Sequence, residues 1–269
     1  MILYEHPFSP YAQKIKIALR EKNLAFEAVI PAGMGSGVAP ELSPLNPRVE
    51  VPALVDGDVT VFDSTIILEY LEDKYPTPPL LPAGPAARAR ARMIEDICDT
   101  QYEAINWGLI ELRYFKRGGS LRADIDARAV EQTGHMFAWL EGAIDGRDWF
   151  GGDRFGWADL SVIPHVMGSA IFGIQPAAGT ALSNWWQQVI LRPSVASTRG
   201  EALAAVTFME NVGDYFAQLK AKRHYRDHRL EWVVRSGGLQ MLLDGIENDN
   251  VRFTDTALFA THQVLPASE

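Results

Sequence analysis

Ser9-Pro10 separates a short apolar run, Ile2-Leu3-Tyr4, from the strongly helical stretch Tyr11-Ala12-Gln13-Lys14-Ile15-Lys16-Ile17-Ala18-Leu19. A serine in that place can cap the helix, its hydroxyl oxygen accepting a free backbone N–H of the first turn. It can also serve chemistry, because a hydroxyl at the positive end of a helix is well placed to face an anion. Both uses fit these residues. Pro10 suits the first helical position either way, since its missing N–H costs nothing there.

Other chemistry-bearing residues narrow the choice by exclusion. Cys98 is the one cysteine, so an intramolecular disulfide and a cysteine-based zinc site are ruled out and a reducing compartment is indicated. Among six histidines, His224 and His228 stand four apart, but no Glu follows the first and no third ligand is evident, so no metal is expected. Gly33, Gly35 and Gly37 follow one another closely without the Lys-Ser/Thr ending of a phosphate cradle, and read as a flexible connection.

The elements around Ser9 follow from periodicity. Residues 2–4 make a short strand, residues 10–21 a helix and residues 26–30 a second strand, a βαβ unit whose strands should be parallel. Tyr11, Ile15, Ala18 and Leu19 form its buried stripe. Val51-Pro52-Ala53-Leu54-Val55 is a strand with a proline at its start, Asp56-Gly57 a hairpin turn and residues 59–62 the antiparallel return. Asp63-Ser64 caps a further helix carrying Ile66, Ile67, Tyr70 and Leu71. The proline-rich residues 77–85 read as a linker. Beyond them helical patterns replace strands, at 86–116, 123–141, from 158 on with Pro164 inside, 183–191 and 194–204. Arg88, Arg90 and Arg92 stand two apart, share no face and read as solvated.

The bulk numbers fit a two-domain globular chain. It has 269 residues, 47% hydrophobic and 22% charged. A net charge of −9 argues against nucleic acid as a partner. Glu5, His6 and Pro7 interrupt any secretory signal, and no apolar run is long enough to span a membrane, so a cytoplasmic location is expected.

The order strand, helix, strand, proline-marked turn, hairpin, helix and then a helical domain resembles the cytosolic glutathione transferase superfamily. Five separated segments carry the resemblance: Ser9-Pro10-Tyr11-Ala12 with its helix; Asn46-Pro47 with Val51-Pro52-Ala53-Leu54; Asp63-Ser64 with Ile67 and Tyr70-Leu71; Trp157-Ala158-Asp159-Leu160; and Arg192-Pro193-Ser194-Val195. The first-helix serine is similar to the theta, zeta and tau classes, and Ser-Pro-Tyr-Ala also to the omega-type helix start, which has cysteine there. The fold implied is an α/β thioredoxin-like domain over residues 1–76, the linker 77–85, an all-helical domain over 86–210 and a mostly helical extension over 211–269. The resemblance covers roughly residues 1–205. Two positions depart from the family: Gly156, where a Ser or Thr cap is usual, and Glu50, where Lys or Gln commonly faces the glycyl carboxylate.

The resemblance implies that glutathione is the nucleophile and Ser9 the catalytic hydroxyl, with a small hydrophobic electrophile as second substrate. A free thiol titrates near about 8.5, and reaching neutrality needs about 2 kcal/mol of differential stabilisation, which a hydrogen bond plus a helix end can supply. Ser9, Tyr11, Arg48, Glu50, Val51, Pro52, Asp63 and Ser64 are the implied glutathione residues. Val51, held by a cis Pro52, would pair with the cysteinyl backbone, Ser64 would hold the γ-glutamyl carboxylate and Asp63 the α-amino group. Tyr11, Trp107 and Tyr114 would face the electrophile. Conjugation, isomerisation, dehalogenation and ether cleavage all belong to this chemistry. Thiol-disulfide reduction does not, because no cysteine stands at the helix start. A homodimer is implied. The competing expectation is a scaffold of the same fold that binds a protein partner without catalysis.

The stretch after Phe208 is too long for simple fraying. It joins Tyr215, Phe216 and Leu219 to a basic run at 220–226, and then to the apolar Leu230, Trp232, Val233, Val234, Leu239, Met241, Leu242, Leu243 and Ile246. The expectation is that it packs near the mouth of the electrophile pocket with Trp232 as anchor.

Overall fold

The chain's own first strand lies inside the sheet. In the computed structural model, which describes residues 1–32, 39–218 and 227–262 (207–218 without their side chains), β1 (Ile2–Tyr4) has a strand on either side. It pairs in parallel with β2 (Glu27–Val29) and antiparallel with β3 (Ala53–Asp56), which pairs antiparallel with β4 (Val59–Phe62), giving the order β2-β1-β3-β4. The second strand is shorter than the 26–30 expected. Leu3 and Leu54 are fully buried in the sheet.

The helix α1 (Pro10–Glu21) crosses between β1 and β2. Ile15, Ala18 and Leu19 are fully buried as the stripe predicts, while Tyr11 is only half-buried. The rest of α1 from Ala12 to Leu19 is buried too, because the helical part of the chain covers it. Lys14, Lys16 and, just past the helix end, Lys22 are therefore shut away from water, and each meets carboxylates: Glu95 and Asp99, Glu5 and Glu201, and Glu72. Buried ammonium groups are tolerated only when paired in this way. Arg192 closes the C-terminal end of α1 by a two-pronged pair with Glu21 at 2.7 and 2.6 Å.

The helix α2 (Ser64–Lys74) follows β4. Residues 77–85 are tied down: Leu80 and Leu81 are buried and donate their N–H groups to Glu72, and the Leu80 carbonyl accepts from Trp157 N at 2.8 Å. The 86–116 pattern is two helices, α3 (Pro85–Ile97) and α4 (Glu103–Arg113), joined by a π turn over Cys98–Tyr102. The solvated reading of the arginines fails at Arg90, which is buried and donates to the Ala143 carbonyl; Arg92 pairs with Glu69. With i, i+2 spacing each arginine meets a different neighbour, and one of them turns inward.

Four more helices follow: α5 (Arg122–Ile144), α6 (Trp157–Ile171), α7 (Ala181–Val189) and α8 (Pro193–Gln218). Pro164 lies inside α6 without ending it. α8 runs well past the expected residue 204 because Ala204-Ala205-Val206-Thr207 offers no stop. Asp159 holds the start of α6 together, accepting from Phe150 N, Gly156 N and Trp185 Nε1 at 3.0, 3.0 and 2.9 Å. Burial pushes its carboxyl up to about 7, against those donors. Gly156 is more than a tolerable cap: a Cβ there would lie 2.5 Å from the Leu80 carbonyl oxygen, so the backbone contact itself demands glycine.

The chain closes with α9 (His228–Arg235), α10 (Leu239–Glu247) and α11 (Ala257–Thr261). Trp232 is not an anchor, being 70% exposed. The extension meets the body through α11, where Phe259 stands edge-on to Trp139 of α5 at 6.3 Å and Thr256 Oγ1 lies 3.2 Å from His135 Nδ1. The glycine run at 33–37, Leu219 and the basic run at 220–226 lie outside the described residues, as do the side chains of Tyr215 and Phe216.

Candidate functional site

The register of the sheet brings three separate segments to one edge. Tyr4 pairs with Ala53, and Ala53 pairs with Phe62. The chain leaving β1 toward Ser9, the chain entering β3 through Val51-Pro52 and the chain leaving β4 through Asp63-Ser64 therefore emerge side by side.

Each segment is held locally. Ser9 has extended backbone (φ −73°, ψ 114°) and its Oγ accepts from Ala12 N at 3.2 Å, with Pro10 at the first helical position. That bond uses an oxygen lone pair and leaves the hydroxyl hydrogen available to donate. Val51-Pro52 is a cis peptide, and Val51 is buried in a small cluster with Ala39, Leu42 and Ala53. Asn46 shapes the loop before it, donating to the Glu50 carbonyl at 2.8 Å and accepting from Arg48 N at 3.0 Å. Asp63, at φ 75°, caps α2 by accepting from Thr65 N and Ile66 N, and Arg48 Nη1 lies 3.7 Å from its other oxygen. Ser64 is buried directly behind that cap.

A cleft opens beside Ser9. Its walls come from three places: Phe8, Pro10 and Gln13 around the start of α1, Glu103, Asn106, Trp107, Ile110 and Tyr114 along and just after α4, and Pro164, His165, Met167, Ile171 and Phe172 along and just after α6. Phe8, Tyr114 and Phe172 form a chain of tilted rings with centroids 6.3 and 5.3 Å apart. Such a wall suits an apolar or aromatic guest.

Two family models match the chain: glutathione S-transferase, N-terminal domain, over residues 3–79, and glutathione S-transferase, C-terminal domain, over residues 115–193. The chain is 31% identical to a solved glutathione S-transferase from Rhodospirillum rubrum F11, with a TM-score of 0.66, covering 73% of this chain and 90% of that one. The chain belongs to the glutathione S-transferase family. It is also 30% identical, with a TM-score of 0.63, to a glutathione S-transferase from Methylobacterium radiotolerans solved in complex with glutathione sulfonate, covering 73% and 93% of the two chains. A stringent starvation protein A homolog from Coxiella burnetii is 38% identical over 94 residues, 35% of this chain and 44% of that relative's length.

In this member of the family, the expected glutathione residues lie along the one sheet edge, with one exception. Tyr11 turns its hydroxyl away to the Asp99 carbonyl, at 2.8 Å, and is not among the cleft-lining residues, whereas Trp107 and Tyr114 are. Arg48 sits by Asp63, with its guanidinium over the Phe62 ring. Among the described residues no cluster of metal-ligating side chains occurs, and no helix is long and apolar enough to cross a membrane.

The largest feature missed by sequence reasoning is a buried polar network behind the cleft. Lys14 Nζ meets Glu95 Oε1 at 2.6 Å and Asp99 Oδ2 at 2.5 Å. Glu95 also accepts from Thr65 Oγ1 and Trp157 Nε1, and Asp99 Oδ1 lies 3.2 Å from His165 Nε2. Burial opposes the charge on Lys14, yet Asp99 and Glu95 outweigh it and hold its pKa above the ordinary value. Burial likewise opposes the Asp99 charge, and Lys14 and His165 outweigh it, leaving that carboxyl below its ordinary value. The signal was present in the sequence: Lys14 lies three residues after Tyr11 and four before Ala18, on the apolar stripe itself.

Proposed function

We propose that the chain is a glutathione transferase in which Ser9 lowers the pKa of the glutathione thiol for attack on a small hydrophobic electrophile held in the cleft. The observation that carries this reading is the placement of Ser9: it stands at the N-terminus of α1, its hydroxyl hydrogen uncommitted by the cap, between Phe8 and Pro10, which both line the cleft. The thiol releases its proton to solvent, the thiolate accepts the Ser9 hydrogen bond at the positive helix end, and its electron pair forms the new C–S bond as the electrophile's π bond or bond to its leaving group breaks, the displaced pair being protonated by solvent or carried off by the leaving group. Val51 offers backbone groups to the tripeptide like an added strand, and the Asp63-Ser64 helix start takes its α-amino and γ-glutamyl carboxylate ends. The glutathione sulfonate bound in the Methylobacterium radiotolerans relative supports glutathione as co-substrate. A homodimer and a cytoplasmic location belong to the same proposal.

The test is Ser9→Ala. Bound-thiolate absorbance, followed against pH, should titrate higher in the variant, and turnover should fall sharply while glutathione affinity stays within a few fold. Identical titrations in the two proteins rule out the role.

A second reading has one observation in its favour. Glu50 borders the proposed tripeptide site, where an acid repels the glycyl carboxylate. A protein that neither binds to immobilised glutathione nor turns over a panel of electrophiles is a scaffold of this fold.

A further inference from the structure

Three residues of the cleft carry buried polar atoms that nothing in the protein satisfies. Gln13, Asn106 and His165 line it from α1, α4 and α6, and are 5%, 7% and 1% exposed. Among the described residues Gln13 Oε1, Asn106 Oδ1 and His165 Nδ1 have no hydrogen-bond partner. A buried polar atom left in that state is costly and calls for an explanation.

The surrounding bonds make Gln13 Oε1 and Asn106 Oδ1 acceptors, and His165 Nδ1 is a third in the neutral ring. Gln13 Nε2 donates to the Pro7 carbonyl at 2.6 Å, which leaves its Oε1 as the unmatched end. Asn106 Nδ2 donates to the His165 carbonyl at 2.9 Å, which leaves Oδ1. Gly168 makes room for that amide, since a Cβ there would lie 3.1 Å from Asn106 Nδ2. His165 Nε2 faces the Asp99 carboxylate, so in the neutral ring it carries the proton and Nδ1 carries a lone pair. In each case the protein consumes the donor and leaves the acceptor buried in the wall of the cleft, whose lining also includes the carboxylate of Glu103. Gln13 lies one helical turn beyond Ser9, its N–H bonded to the Ser9 carbonyl at 2.9 Å. A guest touching these acceptors is therefore beside the proposed sulfur position.

We infer that the cleft selects aromatic guests carrying a hydrogen-bond donor, a phenolic or similar hydroxyl, read by Gln13, Asn106 and His165. This rests on the reading of the cleft as the electrophile site, and names the substrate class of that site. Apolar walls supply affinity for the ring. The acceptors supply discrimination, because a guest without a donor leaves them unpaired.

The experiment compares binding of 4-ethylphenol, ethylbenzene and 4-ethylanisole to the wild-type protein saturated with S-methylglutathione, by calorimetry and by tryptophan fluorescence, since Trp107 lies in the wall. The phenol should bind at least about tenfold more tightly than either partner, a factor in line with satisfying one or two buried acceptors. In Asn106→Leu and His165→Phe the advantage of the phenol should shrink toward unity. Equal affinities in the wild type, an anisole as tight as the phenol, or no detectable binding of any of the three would overturn the inference. Because no turnover is measured, a protein that selects the phenol yet conjugates nothing keeps this inference and loses the catalytic one.

Discussion

Lys14 Nζ lies 2.5 Å from Asp99 Oδ2, and the lysine side chain is 1% exposed. The pair joins α1, whose N-terminus holds Ser9, to the π turn that separates α3 from α4. Thr65, directly after Ser64, bonds to Glu95 in the same network. Both helix starts that face the proposed glutathione site are thus fastened to α3 and its π turn through one buried group of charges. Such a group fixes geometry more surely than it adds stability, since the desolvation of its members offsets most of their attraction.

Lys14→Met should therefore be strongly destabilising, by about 3–5 kcal/mol, because it leaves two carboxylates buried beside each other without a cation. Urea unfolding of the two proteins measures it. A loss below about 1 kcal/mol, the range of exposed pairs, means that the network is not closed to water.

Gly156→Ser restores the side chain usual in the family and should still destabilise, by about 1–3 kcal/mol, through overpacking. The serine Cβ meets the Leu80 carbonyl at 2.5 Å, and that oxygen is held by Trp157 N. A serine variant with an unchanged or higher melting temperature would show that residues 77–85 yield at no cost.

The contrast between these positions shows what was legible in the sequence. Ser9-Pro10, Asp56-Gly57 and Asp63-Ser64 act through their neighbours in the chain, and the structure places each as its local pattern implies: a cap, a hairpin, a helix start. Gly156, Lys14, Arg90 and Tyr11 act through residues at least 53 positions away, at Leu80, Asp99, Ala143 and Asp99. No periodicity specifies such a partner. The cleft divides in the same way: Trp107 and Tyr114 were visible as aromatics on a helix, whereas Phe8, Gln13 and His165 enter it only because α1 and α6 lie against each other.

Stability should depend on acid through Asp56. The Lys74 ammonium, then the Tyr75 and Tyr70 hydroxyls, bond to its carboxylate and hold its pKa below the ordinary value of 3.8, against a lesser effect of burial. A carboxyl depressed in the folded state contributes its full stability above the unfolded pKa and loses it as pH falls through the folded one. The stability difference between wild type and Asp56→Asn should be constant from neutrality down to roughly pH 4 and then narrow with further acidification. Equilibrium urea unfolding across that range checks the sign. A difference that widens toward low pH contradicts the assignment.

The C-terminal extension yields the last prediction. No residue of α9, α10 or α11 lines the cleft among the described residues, and the extension meets the body where Phe259 stands against Trp139. There α11 packs along α5, with Thr256 also beside His135, while Trp232, Met241 and Phe253 elsewhere in the extension stay 66–70% exposed. The Phe259–Trp139 pair contributes about 0.5–1.5 kcal/mol beyond the area it buries, a large share of what can hold a helix of five residues. Phe259→Ala should therefore release α11, seen as several-fold faster proteolysis within residues 248–256 and faster amide exchange in α5 around Trp139. Kinetic constants toward small and bulky electrophiles should not move, since neither ring borders the cleft. A shift in preference between the two sizes would show that the extension reaches the second-substrate site after all. An unchanged proteolysis rate would mean that contacts other than Phe259 hold it down.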